Sequence, residues 1–257
     1  IVDFDSTKIR IHQIKPDVII NAAAYTKVDD AESNKELANL INHLAVENIA
    51  KICLDIKSWL IHISTDYVFD GNLKNSYTEE DVTNPMSIYG QTKLKGEEAI
   101  KRLNCQHIVI RTAWVYSEYG NNFLKTILSL GLKNNQISIV GDQFGCPTYA
   151  QDIAKCIKSF IKKIELEKLN SGFYHFSGDL VCSWAEFSEH IFRESMNLGI
   201  INYLPKVIHI NTNEFPTKAK RPKNSVLSSK KIKDFLKIDS SNCINGIKST
   251  LQKINLN

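Results

Sequence analysis

Tyr89 and Lys93 stand four residues apart in "NPMSIYGQTK", just after Pro85 closes an acidic loop. On a helix starting there, i and i+4 side chains are stacked neighbours, so a phenol and a cation would share one face. Upstream, "STDY" places Thr65 where a strand should end. These three residue types are what a carbonyl reduction asks of side chains. A hydroxyl polarises the oxygen, a phenol delivers a proton, and a cation lowers the phenol's pKa from about 10 toward working pH. Hydride has no side-chain source, so such chemistry needs a cofactor. Each piece also has a plainer reading, since Tyr-x-x-x-Lys arises by chance and a Thr after a strand often only caps a turn. Their combination at the strand ends of an α/β chain is more specific.

The elements that must position these residues follow from the hydrophobic pattern. "DVIINAAA" (17–24) is continuous and apolar, as expected of a strand buried on both faces. A helical stretch from Asp29 to about Lys57 follows, with Leu37, Leu40, Ile41, Leu44, Ile49, Ile52 and Cys53 on helical spacing. "WLIHIS" (59–64) reads as a strand, 70–85 as a loop, and Ile88 to Leu103 as a helix. "HIVIRTAWVY" (107–116) reads as another buried strand, followed by a helix over 120–133 and a short strand "ISIV" (137–140). Beyond Gly145 come an amphipathic helix (149–164), a strand "GFYHFSG" (172–178) and a helix over 183–199. Ser183 and Glu186 should form the capping box of that last helix. The alternation implies an α/β fold, a doubly wound parallel sheet covered on both sides. Its domain reading is a dinucleotide-binding domain over 1–145 and a smaller, mainly substrate-binding domain over 146–257. In such sheets ligands sit at the carboxyl ends of strands, which selects "NAAAYT", "STDYVFDG" and "RTAWVY". The alanines would let a flat ligand approach the backbone, although they equally suit tight packing.

Composition narrows the class. The chain has 257 residues, 43% hydrophobic and 23% charged, enough for a sizeable core. No apolar run approaches the roughly 20 residues of a membrane span, and no secretory leader pattern opens it. These features favour a cytoplasmic protein without a membrane partner. Six scattered cysteines without CxxC spacing read as reduced thiols. A net charge of +4 is too small to imply nucleic acid. The late basic cluster (Lys218, Lys220, Arg221, Lys223, Lys230, Lys231, Lys233, Lys237) reads as a solvated face or an attractor for a small anion. His62, His175 and His209 fit no functional motif and read as core or edge residues. Nothing has metal-ligand spacing.

"KPDVIINAAAYTKVDDAE", "IHISTDYVFDG", "PMSIYGQTKLKGE", "IVIRTAWVY", "NNF", "DQFGCPT" and "RPKNS" occur in that order to about residue 225. In these motifs the chain resembles the dTDP-4-dehydrorhamnose reductases, members of the extended short-chain dehydrogenases. The resemblance implies reduction of the C4 keto group of dTDP-4-dehydro-6-deoxy-L-mannose by NADPH or NADH, giving dTDP-L-rhamnose for surface polysaccharide. It makes Tyr89 the proton donor and Thr65 the stabiliser of the nascent alkoxide. Lys93 would tune Tyr89 and bond the nicotinamide ribose. It places Ala24, Tyr25 and Thr26 along the cofactor and the pair Asp3–Phe4 beside the adenine. Thr65, Asp66 and Trp114 would touch the sugar nucleotide, and Arg221 would face its diphosphate. Metal contacts vary within the family, so Mg²⁺ is compatible but not indicated, and a homodimer is likewise compatible. Two rival readings are a reductase of another nucleotide-linked deoxysugar and a non-catalytic binding subunit on the same scaffold.

One motif of the family is missing. The strand, Gly-x-x-Gly-x-x-Gly turn and helix that hold a pyrophosphate are not found, and the first glycine is Gly71. "IVDFDS" resembles the segment after that unit. The natural protein is therefore expected to be longer by about one strand–helix–strand unit. That unit should include a central strand, whose loss would expose two strand edges.

Overall fold

The computed structural model describes residues 1–167 and 169–254. Four parallel strands form its main sheet: β1 (Val18–Asn21), β2 (Trp59–Thr65), β3 (His107–Thr112) and Gly172–His175, hydrogen-bonded in that order. Every residue of β3 is buried, as its unbroken apolar run requires of a strand covered on both faces. β1 is different. It is an edge strand with Ile20 47% exposed, and only four residues long, so Ala22 to Lys27 run on as a loop. The four strands pair without interruption, with β1 at one edge of the sheet and Gly172–His175 at the other.

The expected helices are present, one of them in pieces, and Phe4–Ile14, Lys230–Leu236 and Cys243–Lys253 are helices that the apolar spacing did not single out. Phe4–Ile14 is a helix capped by Asp3. The long stretch after Asp29 is not one helix but Val28–Ala31, Lys35–Asn39, a π turn over Leu40–Leu44, and Ala45–Ile56. The expected strand over 107–116 is broken at Trp114, whose φ of 47° turns the chain out of the sheet before Val115–Tyr116. That conformation is a costly one for a bulky residue. The helix Ile88–Leu103 keeps its expected limits, from the Ser87 cap to the left-handed Asn104.

Two segments cross position 145. The strand Gly172–His175 joins the main sheet, while Gln136–Val140 pairs in parallel with Lys206–Ile210. Around the latter pair a second core gathers Tyr116, Leu124, Phe187, Phe192 and Ile247. The helix Trp184–Asn197 belongs to this core, and its Ser183–Glu186 capping box is present. All six cysteines are free and buried. No helix of the described residues is long and apolar enough to cross a membrane.

Candidate active site

The carboxyl end of β2 delivers Thr65, and the register sets it opposite Thr112. The chain then tightens into a single 3₁₀ turn, Asp66–Val68, for which Thr65 is the cap. Its Oγ1 accepts from Tyr67 N at 3.2 Å and donates to Asp66 Oδ1 at 3.0 Å. Asp66 is 2% exposed. Burial raises its carboxyl to about 6, against bonds from the Ser225 and Thr65 hydroxyls that favour the charged form.

The helix of Tyr89 and Lys93 is pinned at its start. Ser87 Oγ accepts from Gly90 N at 3.1 Å, and Glu32 Oε1 accepts from Ile88 N at 2.8 Å. These bonds satisfy two of the orphan donors of a helix N-terminus. Gly90 lets the helix touch the 3₁₀ turn, because a Cβ there would meet the Tyr67 carbonyl oxygen at 2.2 Å. Tyr67 and Tyr89 consequently meet edge to face, ring centroids 5.5 Å apart. The Tyr89 ring is only partly covered. Burial of its hydroxyl pushes the phenol up to about 12, the Thr65 hydroxyl draws it down, and the Asp66 charge pushes it up again.

Lys93 does not spend its amine on the phenol in this arrangement. It is 1% exposed, and its Nζ donates to the Ile63 carbonyl at 2.6 Å and lies 3.2 Å from Nε2 of His62. Burial lowers it to about 8, against the attraction of Glu97 one turn further along. The expected lowering of the Tyr89 phenol by Lys93 is thus absent here, because the Nζ end lies against β2. His62 is a core residue as expected, 0% exposed, but it also belongs to this site. Its apolar strand context hid that. His175, also buried, donates from Nδ1 to Tyr77 O (3.1 Å), and His209 pairs on the surface with Glu189 at 2.9 Å.

The loop after β1 is tied to the same helix. Asn42, buried in the π turn, accepts from Tyr25 N at 2.8 Å and donates to Tyr25 O at 3.1 Å and Thr92 Oγ1 at 3.2 Å. Thr92 in turn donates to the Tyr89 carbonyl at 3.0 Å. The backbone of Tyr25 is therefore tied, through Asn42 and Thr92, to the helix that carries Tyr89 and Lys93. Asp3 and Phe4 are not brought to this cluster. Asp3 accepts from Ser6 N (3.0 Å) and Ser6 Oγ (2.7 Å), and the helix that Phe4 opens packs on Ala45–Ile56.

On the other side lies a cavity of about 350 Å³, lined among others by Phe123, Ile139, Trp184, Phe215, Thr217 and Arg221. Arg221 reaches it from the expected loop, but its Nη2 is paired with Asp29 Oδ2 at 2.7 Å. Trp114 backs this wall, stacked on Trp184 with ring centroids 3.4 Å apart and planes within 5°. Sequence reasoning missed Trp184 and Asp29, whose partners are far away in the chain, and Asn42, which the helical period concealed. Among the described residues no three His, Cys, Asp or Glu side chains gather as a metal ion would need.

The end of β2, with Thr65, thus meets the start of the helix that carries Tyr89 and Lys93. The family model described as "RmlD substrate binding domain" matches residues 1–256. The dTDP-4-dehydrorhamnose reductase of Escherichia coli K12 is 39% identical over 245 residues, 95% of this chain and 82% of the relative. The chain belongs to the dTDP-4-dehydrorhamnose reductase family. Another relative at 36% identity is the spore coat polysaccharide biosynthesis protein SpsK of Bacillus subtilis 168, matched over 91% of this chain and 78% of the relative. The reductase structure from Clostridium acetobutylicum superposes with a TM-score of 0.88 at 36% identity, covering 98% of this chain and 85% of that one. The Bacillus anthracis reductase, solved in complex with NADP, gives 0.87 at 34%, covering 98% and 86%. Reductase-family membership and the parallel α/β fold thus agree.

Proposed function

We propose that this chain is an NAD(P)H-dependent reductase acting on the C4 keto group of a dTDP-linked 4-dehydro-6-deoxysugar, giving dTDP-L-rhamnose. The single observation that carries this reading is the meeting of Thr65, Tyr89 and the Lys93 helix at the end of β2, inside a reductase family. The residues present fit the nicotinamide end of the cofactor. The 22–27 loop is fixed at Tyr25 by Asn42, which is tied through Thr92 to the helix of Tyr89 and Lys93. Bound there, the reduced nicotinamide would supply hydride. Ala24, Tyr25 and Thr26 would line it, Lys93 would hold the ribose, and Asp3–Phe4 would face the adenine.

Tyr89 delivers its phenolic proton to the alkoxide oxygen at C4, leaving a tyrosinate and the product hydroxyl. Thr65 donates to the same oxygen as its charge grows, which a preformed donor does without reorganisation. Its present acceptor, Asp66 Oδ1, orients that hydroxyl. Lys93, once protonated, would stabilise the tyrosinate until solvent returns the proton. Asp66 and the Trp114–Trp184 stack border the sugar nucleotide, with Arg221 set toward the diphosphate. Residues 1–145 thus serve mainly the cofactor, and 146–257 mainly the substrate. The reaction belongs in the cytoplasm, where nucleotide sugars and nicotinamides are at hand; a homodimer fits this role.

The test is a fluorescence titration of the chain with NADPH and NADH, followed by turnover on the dTDP-4-keto sugar. Tyr89→Phe should cut turnover by a factor of about 10²–10⁴ with cofactor affinity kept. Unchanged turnover in that variant would sink the assignment, and comparing sugars that differ at C2 and C5 separates this substrate from other deoxysugars.

A further inference from the structure

Asn21, His62 and Lys93 form a line of buried polar side chains running from β1 across β2 to the Ile88–Leu103 helix. Asn21 stands opposite His62 in the strand register. The orientation of its amide is set by Ala23 N–H, which donates to Asn21 Oδ1 at 3.2 Å. The Nδ2 group therefore faces His62 Nδ1, 3.1 Å away. An amide NH₂ only donates, so Nδ1 must accept, and a neutral ring then carries its proton on Nε2. That nitrogen lies 3.2 Å from Lys93 Nζ. An ammonium has donors only, so Nε2–H against –NH₃⁺ would set two donors head to head. The contact is satisfied when Nζ is an amine whose lone pair accepts from Nε2–H, while one of its own N–H groups donates to Ile63 O at 2.6 Å.

We infer that Asn21 fixes His62 as the Nε2–H tautomer, and that His62 holds Lys93 as an uncharged amine. In the resting site Lys93 is then a proton acceptor rather than a fixed cation, and Asn21 and His62 are positioning residues for it. Protonation of the amine by solvent breaks the Nε2–H···Nζ bond and frees the side chain to move along its helix face toward Tyr89. This inference rests on the reading of Lys93 as the partner of Tyr89.

The surrounding charges leave this arrangement standing. Glu97, the carboxylate on the same helix face, is bonded to Arg111 of β3 at 2.7 Å and to Ser64 of β2. From the π turn and the following helix, His43 and Glu47 face each other at 3.8 Å, and Glu47 is shared with Lys51 and Arg102. From the turn Val28–Ala31, Asp29 is taken by Arg221, and Asp66 is turned to Thr65. A second proton on His62 is opposed by its complete burial, which holds the ring well below its usual range. Burial presses Lys93 toward its neutral form, and a bond from Nε2–H acts in the same direction.

Nuclear magnetic resonance of the intact chain decides this, with ¹⁵N in its histidines and ¹³C at lysine Cε, titrated from about pH 6 to about pH 10. The expected result is an Nε2–H tautomer for His62. One lysine, assigned by its loss in Lys93→Met, should be mostly uncharged at pH 7, with a midpoint below about 7, at least three units under the exposed lysines near 10.4. Asn21→Asp offers Nδ1 an acceptor, so the ring should change to Nδ1–H and the Lys93 midpoint should rise by about one unit or more. An Nδ1–H tautomer in the unsubstituted chain overturns the inference, as does a Lys93 that is mostly charged at pH 7. A tautomer indifferent to Asn21→Asp overturns the part assigned to Asn21. None of these readings uses turnover, so failure here stands apart from a Tyr89→Phe variant that stays active.

Discussion

Asn42 closes a two-bonded ring on the backbone of Tyr25, accepting from its N–H at 2.8 Å and donating to its carbonyl at 3.1 Å. The amide does for this loop what a neighbouring strand would do, and it sits where the helix swells into a π turn. Such turns commonly mark functional positions. Gly96 permits the approach, since a Cβ there would stand 2.3 Å from the Asn42 carbonyl oxygen. Asn42→Ala strands both Tyr25 backbone groups and the Thr92 hydroxyl contact. The expected loss is about 2 kcal/mol of stability, with amide exchange at Tyr25 at least about tenfold faster. Unchanged exchange at Tyr25 would show that the loop is held by something else.

Glu97 and Arg111 bind the helix of Tyr89 and Lys93 to the sheet. Arg111 Nε and Nη2 engage both oxygens of Glu97, at 3.0, 3.2 and 2.7 Å, and the guanidinium lies 5.1 and 5.3 Å from the rings of Phe69 and Phe173. Both side chains are nearly inaccessible, 2% and 6% exposed. Replacing Glu97 by Leu leaves a buried guanidinium without its counter-ion, which costs about 3–5 kcal/mol. Combining it with Arg111→Met removes the stranded charge and should recover much of that loss. Urea midpoints of the two single variants and the double variant measure the difference; a double variant no better than Glu97→Leu refutes it.

What could be read from the sequence follows how local each determinant is. The Ile88–Leu103 helix emerged at its true limits because Ser87 caps it and Asn104 ends it, both within the segment. The places of Thr65 at a strand end and of Tyr89 and Lys93 at a helix start were legible because both are local signals. The π turn was not, because Asn42 is placed by a loop seventeen residues earlier. Nor was the break at Trp114, whose conformation answers to Trp184 on a distant helix. His62 looked like any residue of an apolar strand, and only the register with Asn21 and the reach of Lys93 reveal its place. The uninterrupted pairing of β1 with β2 likewise needed the sheet order.

The Trp114–Trp184 stack can be disturbed without touching either indole. Gly145 lies under Trp114, and a Cβ there would come 2.5 Å from its Cε2 atom. A methyl group has no room unless the indole shifts, and the stack forms part of the cavity wall through Trp184. Gly145→Ala should raise KM for the sugar nucleotide about tenfold, the scale of one lost packing contact. Cofactor affinity should hold within about twofold, while the tryptophan emission shifts. If KM is unaffected although the emission moves, the stack does not border the substrate.

Asp66 gives the site a pH signature in stability. Its folded pKa, about 6, lies above the ordinary value near 3.9, so between these values the folded chain binds more protons than the unfolded one. Stability attributable to Asp66 is then fully present below about pH 4 and is lost as pH rises through about 6. About two units correspond to roughly 3 kcal/mol, undiminished by solvent because the side chain is buried. Asp66→Asn removes the charge while keeping the shape. Relative to the unsubstituted chain, the variant should be equally stable near pH 4 and more stable by a few kcal/mol at pH 7.5. Measuring unfolding free energies of both chains across that range isolates this residue from every other titrating group. A difference that does not grow with pH would mean that Asp66 is charged in the folded chain at no cost, paired more fully than its contact with Thr65 provides.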